Sequence, residues 1–123
     1  MNFRIPGGRS GSYYWFNQKV TSAGSFDSAS RLSLKNVKGN YQGSALDDIC
    51  KTDIVEYSYK NSPEDKQLSP IIDDVNTDKQ YHLPDVITDG KTVNLYAMTS
   101  LSWLAIKELN KKIEQLEQKL KEK

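Results

Sequence analysis

The chain has 123 residues with 17 basic and 16 acidic side chains, a net charge of +1 at pH 7. Such a balance gives no strongly charged surface, so we expect no nucleic-acid partner and no anionic membrane partner. A single cysteine, Cys50, and a single histidine, His82, exclude an internal disulfide and argue against a metal site or other cofactor. No apolar run reaches the roughly 18 residues that a membrane span needs.

Residues 1–29 are rich in Gly and Ser, and the aromatic run Tyr13-Tyr14-Trp15-Phe16 interrupts them. Four adjacent aromatic residues are typical of a strand that is buried on both faces or packed between chains. We therefore predict inter-chain packing for this segment. The alternative is a platform on which host glycans stack, although no fixed carboxylates or amides nearby would make such a site specific.

Short elements are predicted through the middle of the chain. Leu32, Leu34 and Val37 alternate with polar residues, which predicts a short strand. Ser44 and Asp47 form a capping box, which predicts a helix that buries the following residues: Ala45, Leu46, Ile49 and Cys50.

Two hairpin regions follow the predicted short helix. Residues 54–60 alternate as a strand, with Val55, Tyr57 and Tyr59 on one face, and 68–72 form a second strand that Pro70 restricts to an edge. Asp89-Gly90 between residues 85–88 and 91–94 predicts a two-residue hairpin turn.

A long helix is predicted from Leu95 to the C-terminus. Its first half carries a broad apolar stripe with Trp103 beside it, which predicts packing on the chain's own domain; the stripe comprises Leu95, Met98, Leu101, Leu104 and Ala105. The fold class is therefore α+β, a small antiparallel sheet with a short and a long helix.

The second half of this helix is a heptad repeat. The a positions hold Ile106, Ile113 and Leu120, and the d positions hold Leu109 and Leu116. Lys112 at g and Glu117 at the following e form the charge pair that crosses between parallel chains. The pattern predicts a parallel oligomer. Ile at a with Leu at d favours two strands, but the run is too short to set the number of chains.

Ser30 and Lys35 are the one pair of residues with catalytic potential. A serine hydroxyl becomes a nucleophile when a neutral lysine takes its proton, which requires burial or a nearby cation. On an extended strand a five-residue spacing places the two side chains on opposite faces, about 16 Å apart. The pair therefore meets only if the chain turns between them or if the partner comes from another chain.

Several short motifs follow one another along the chain. Ser30 is followed five residues later by Lys35, and five further segments come after them: Ala45-Leu46-Asp47-Asp48-Ile49, Val55 to Lys60, Leu83 to Ile87, Asp89 to Tyr96, and Ala105 to Leu109. In type and order these motifs resemble the intramolecular chaperone domain at the C-terminus of phage tail spikes and endosialidases. The resemblance covers about residues 30–123.

The resemblance implies a homotrimer that holds three chains in register while an upstream β-shaft of the same chain folds. Residues 1–29 would then be the end of the shaft, 30–105 the chaperone body and 106–123 the coiled coil. The implied location is the virion tail, or the host cytoplasm during assembly. Many members also cleave themselves at the Ser.

Two positions depart from the family's pattern near the Ser. Arg31 stands where the family usually has Asp, and Ser33 stands where it has Arg. Ser30 and Lys35 are retained, so self-cleavage stays open as an activity. We expect a slow or inactive peptidase.

Overall fold

The computed structural model describes Phe16 and residues 18–122. The chain divides into two compact units, Met1–Gly39 and Asn40–Lys123, and each is described by itself. The first contains a 3-10 turn, Leu32–Leu34. The second contains helix α1 (Ala45–Lys51), strands β1 (Val55–Tyr57) and β2 (Gln67–Ser69), a 3-10 turn (Asp85–Ile87) and helix α2 (Leu95–Lys121). A two-stranded antiparallel sheet with a long C-terminal helix confirms the α+β class.

The strand predicted around Leu32 and Leu34 is wrong, because these residues form a 3-10 turn. The Leu34 N–H donates to the Arg31 carbonyl at 3.0 Å, and the Lys35 N–H donates to the Leu32 carbonyl at 3.0 Å. No strand pairs with this segment in the part of the chain that the structure describes, so the backbone bonds locally instead. Leu32 and Leu34 are exposed.

Helix α1 begins as the capping box predicts. Ser44 is the N-cap, and its hydroxyl accepts the Asp47 N–H at 3.2 Å. The predicted buried face is only half right: Ala45 is fully buried and Leu46 half-buried, but Ile49 and Cys50 are exposed. The helix has seven residues. Its first turn therefore packs against the core, while the residues one turn later face solvent.

The first hairpin pairs β1 with β2, with Val55 opposite Ser69 and Tyr57 opposite Gln67. The predicted strand over 54–60 is shorter than expected, since pairing ends at Tyr57. Tyr59 lies beyond the ladder, with its ring edge-on to that of Tyr57 at a centroid distance of 5.4 Å. Both strands are three residues long, so the hairpin contributes little core.

The second predicted hairpin is reduced to one bridge, between Thr88 and Val93. The connection therefore has four residues rather than two. Asp89 organises it, because its carboxylate accepts the N–H groups of Lys91 at 2.9 Å and Thr92 at 2.7 Å. Gly90 adopts a positive φ of 93° that L-residues rarely tolerate. The 3-10 turn before this loop directs Ile87 inward, and Ile87 is only 2% exposed.

The core of the second unit lies between α1, the 3-10 turn Asp85–Ile87 and the first half of α2. Four residues are buried: Ala45, Ile87, Leu101 and Ala105. Asn94 caps α2, and its side chain accepts the Ala97 N–H at 3.0 Å. The predicted inner stripe is wrong at Leu95, which is 73% exposed, and Trp103 is also exposed. None of the described helices has the length and apolarity to cross a membrane.

Candidate functional site

A long uncovered apolar feature of the described residues is the second half of α2. At 1.5 Å per residue, the 27 residues of α2 extend about 40 Å. All five heptad residues are exposed: Ile106 by 63%, Leu109 by 45%, Ile113 by 52%, Leu116 by 60% and Leu120 by 70%. We call these five residues the seam. A row of large apolar side chains of this length is costly in water and is typical of an interaction surface.

The seam lies beyond the face of α2 that packs on the domain. Leu101 and Ala105 belong to the core and are 5% exposed each. Each residue advances about 100° around a helix, so Leu109, four residues after Ala105, points only about 40° away from it. The seam is therefore exposed because the domain ends before it along α2, and not because it lies on another face.

The charged residues beside the seam are arranged for a second helix. Lys112 and Glu117 are both exposed. Five residues of α-helix separate their directions by about 140°, which is too far for an ion pair within one helix. In a parallel pair of helices, the g and following e positions of different chains lie side by side. The spacing of the two charges is therefore the one that parallel coiled coils use between chains.

Glu108 joins α2 to the start of α1 and marks where the domain ends along α2. Its carboxylate accepts the Ser44 hydroxyl at 2.9 Å and the Ala45 N–H at 2.7 Å. A carboxylate at a helix N-terminus satisfies free N–H groups and complements the helix dipole. Sequence reasoning missed this contact, because 64 residues separate Ser44 from Glu108 and no local pattern links them.

The pKa of Glu108 reflects this contact. Partial desolvation raises it, but hydrogen bonds from Ser44, Ala45 and Leu46 together outweigh that effect and hold the pKa below its ordinary value of 4.5. A carboxylate with a lowered pKa in the folded state stabilises that state above its unfolded pKa.

We expect acid to release the Glu108 contact. The stabilisation is complete at neutral pH and is lost as the pH falls below 4.5 through the lowered pKa of Glu108. Thermal melting between pH 7 and pH 3 measures this loss, which Glu108→Gln should reduce. Asp73 and Asp89 also have lowered pKa values, because they accept hydrogen bonds from the backbone N–H groups of Asn76 and Lys91 respectively. Both residues are unchanged in Glu108→Gln, so they add the same acid-dependent loss of stability to both melting curves.

The matched control for this titration is Glu64→Gln, in the turn between β1 and β2. Its melting curve should follow the unmodified chain at every pH. If Glu108→Gln and the unmodified chain lost stability identically below pH 4.5, the Glu108 contact would not be the acid-sensitive link.

The structure brings Ser30 and Lys35 together. The 3-10 turn Leu32–Leu34 folds the chain back between them, and the Lys35 ammonium donates a hydrogen bond to the Ser30 hydroxyl. The turn within one chain is therefore enough to bring the two side chains into contact, and no partner chain is needed.

Contact alone does not make this pair a nucleophile and base. Ser30 and Lys35 are both exposed, and the lysine is the donor in their hydrogen bond. A lysine becomes a base when burial or a nearby cation favours its neutral form, and then it accepts the hydroxyl proton. Proton transfer needs the two groups to be close together, and Ser30 and Lys35 meet that requirement. They lack the burial that would favour the neutral form of the lysine.

The other candidate sites contribute less. His82 is held through its backbone N–H, which donates to the Asp53 carboxylate at 3.0 Å. Within the described residues, no three His, Cys, Asp or Glu side chains cluster as metal ligands. The aromatic run Tyr13–Phe16 lies outside the described residues except for Phe16, which is 62% exposed. Inter-chain packing of that run stays a prediction.

In comparisons with known proteins, no family model, no curated protein and no solved structure matches the chain.

Proposed function

We propose that this chain is the C-terminal intramolecular chaperone and trimerisation domain of a phage tail fibre, tail spike or related phage structural protein. In this role it holds three chains in register while the shaft upstream folds, in the host cytoplasm during assembly, and it stays with the virion tail if it is not cleaved. The order of motifs over residues 30–123 supports the family, and the seam supports the self-association.

The observation that carries the proposal is the exposure of all five seam residues on a helix anchored by its other half. Between 45% and 70% of each side chain is uncovered. Three such stripes bury one another in a coiled coil, since each a or d side chain enters a hole on the neighbouring helix. The parallel direction follows from Lys112 and Glu117, and the number three follows from the family resemblance.

Self-association of this helix would solve a folding problem for the shaft. Intertwined β-structure depends on contacts between distant residues and folds slowly, and its unpaired strand edges aggregate. A local helix that associates first raises the effective concentration of the attached strands. The chain's C-terminal helix therefore acts as a clamp on the shaft ends.

The experiment that tests the proposal is the mass of the assembled chain by light scattering. We expect about 42 kDa, three times the chain mass of 14.0 kDa. A monomer at micromolar concentration would contradict the proposal. Far-ultraviolet circular dichroism should also lose helical signal on dilution, because the isolated residues beyond Glu108 form too short a helix to be stable alone.

Self-cleavage is the second candidate function, and the Lys35–Ser30 hydrogen bond is the observation that favours it. We expect the intact mass of 14.0 kDa to persist in freshly expressed protein, since both side chains are exposed and Arg31 replaces the family's Asp. Intact mass spectrometry measures this. A fragment that starts at Ser30 and disappears in Ser30→Ala, but persists in Ser33→Ala, would instead establish the chain as a self-processing peptidase.

A further inference from the structure

A second apolar surface lies on the half of α2 that packs on the domain. Six residues line an open groove there: Tyr96, Thr99, Ser100, Trp103, Leu104 and Lys107. The first four form one part of this groove. Tyr96 is 55% exposed and Trp103 is 69% exposed. Their spacing of i, i+3, i+4 and i+7 is that of the four-residue hole that receives one side chain in a coiled coil. We call it the aromatic hole.

The heptad numbering of the seam can be carried back into this region, although the a and d positions there hold the polar residues Thr99 and Ser102. Counting back by whole heptads from Ile106 places Thr99 at a, Met98 at g, and Tyr96 and Trp103 at e. In a parallel coiled coil the g position of one helix faces the e positions of its neighbour. Met98 lies two residues after Tyr96 and five before Trp103, so its side chain arrives between the two rings.

The chemistry of the aromatic hole fits a methionine. The hydroxyls at its floor are already bonded, since Thr99 donates to the Leu95 carbonyl and Ser100 to the Tyr96 carbonyl, both at 3.0 Å. These two hydroxyls therefore need no acceptor from an incoming side chain. A methionine thioether is flexible and packs favourably at aromatic rings. Met98 is half-buried against its own core, which leaves part of the side chain free to contact a neighbour.

The charges beside the seam favour the orientation that this contact needs. Lys112 and Glu117 have the same g-to-e relation as Met98 and Trp103, five residues apart, and they carry opposite charges. In an antiparallel pair g positions face each other, which would bring Lys112 and Lys119 of the two chains onto one side. Like charges there oppose association, so the parallel copy is the favoured occupant.

We propose that Met98 of each protomer fills the aromatic hole of the next protomer. The interface then extends along the whole of α2, from Leu95 to Leu120, and includes the domain-bearing half of the helix. Trp103 is its main anchor, because large aromatic side chains enclosed at an interface contribute most to binding. This inference rests on the self-association proposed above.

The test uses the full chain with Trp15→Phe, which leaves Trp103 as the sole tryptophan of the original two. Acrylamide quenching of its fluorescence should weaken several-fold as the chain associates. Trp103→Ala should weaken association by roughly tenfold or more, measured by sedimentation equilibrium. Trp103→Phe should retain most of the affinity. Lys111→Ala, at the outward f position, is the matched control and should leave it unchanged.

Trp103 is exposed within the single chain, so its substitution tests association rather than folding. An oligomer in which Trp103 stays freely quenched, and in which Trp103→Ala behaves like Lys111→Ala, would overturn the inference and leave the proposed function standing. A chain that stays monomeric at all concentrations would overturn both. Shielding of Trp103 together with weaker assembly of Trp103→Ala supports the inference.

Discussion

Ile113→Asp is expected to convert the proposed trimer into a monomer. Ile113 is 52% exposed in the single chain and occupies the middle a position of the seam. Full burial of an isoleucine is worth about 1.5–3 kcal/mol, so covering the exposed half in three chains contributes about 3 kcal/mol per trimer. Ile113→Ala loses roughly that contribution, whereas each buried carboxylate of Ile113→Asp adds a desolvation penalty of several kcal/mol.

Sedimentation equilibrium measures this loss of assembly, with Gln118→Asp as the matched control. Gln118 occupies an f position on the outward face, so the same negative charge there should leave the oligomer intact. Circular dichroism should report fraying of α2 beyond Glu108 in Ile113→Asp alone, because that segment is stable only when associated. If Ile113→Asp assembled as well as Gln118→Asp, the seam would not be the interface.

Ile87→Ala is expected to unfold the domain while leaving the proposed oligomer assembled. Ile87 is 2% exposed and is the more deeply buried of the two large side chains in a buried set that also holds Ala45, Leu101 and Ala105. Replacing a buried isoleucine by alanine costs about 2–5 kcal/mol, and a core this small has few other contacts to compensate. The seam lies farther along α2 than this core and would keep its own contacts in the proposed oligomer.

Hydrogen exchange resolves the two parts of the molecule in one measurement. In Ile87→Ala the amides of α1 should lose protection, while those of residues 109–121 stay protected in the oligomer. Val86→Ala is the matched control: Val86 is 45% exposed, so its truncation should change stability by less than about 1 kcal/mol. Dissociation of Ile87→Ala into monomers would show that the domain and the seam are not independent.

Features set by short-range physics were predictable. The Ser44 cap of α1 and the extent of α2 follow from side-chain hydrogen bonding and from 3.6-residue periodicity, which act within one or two turns. The 3-10 turn at Leu32–Leu34 was not predictable in the same way. The alternating pattern there predicted a strand, but a strand forms only if another strand pairs with it. Leu95 likewise has the right periodicity for the core stripe, yet no element lies against it.

The sequence by itself determined that the C-terminal half of α2 carries an apolar seam, since the heptad spacing leaves no other face for Ile106, Leu109, Ile113, Leu116 and Leu120. Only the tertiary structure decided which part of α2 the domain covers and where that cover stops, at the Glu108 contact with Ser44 and Ala45. It also decided that a 3-10 turn brings Lys35 to Ser30. Both outcomes depend on how the backbone turns and on contacts between distant residues, which residue spacing does not record.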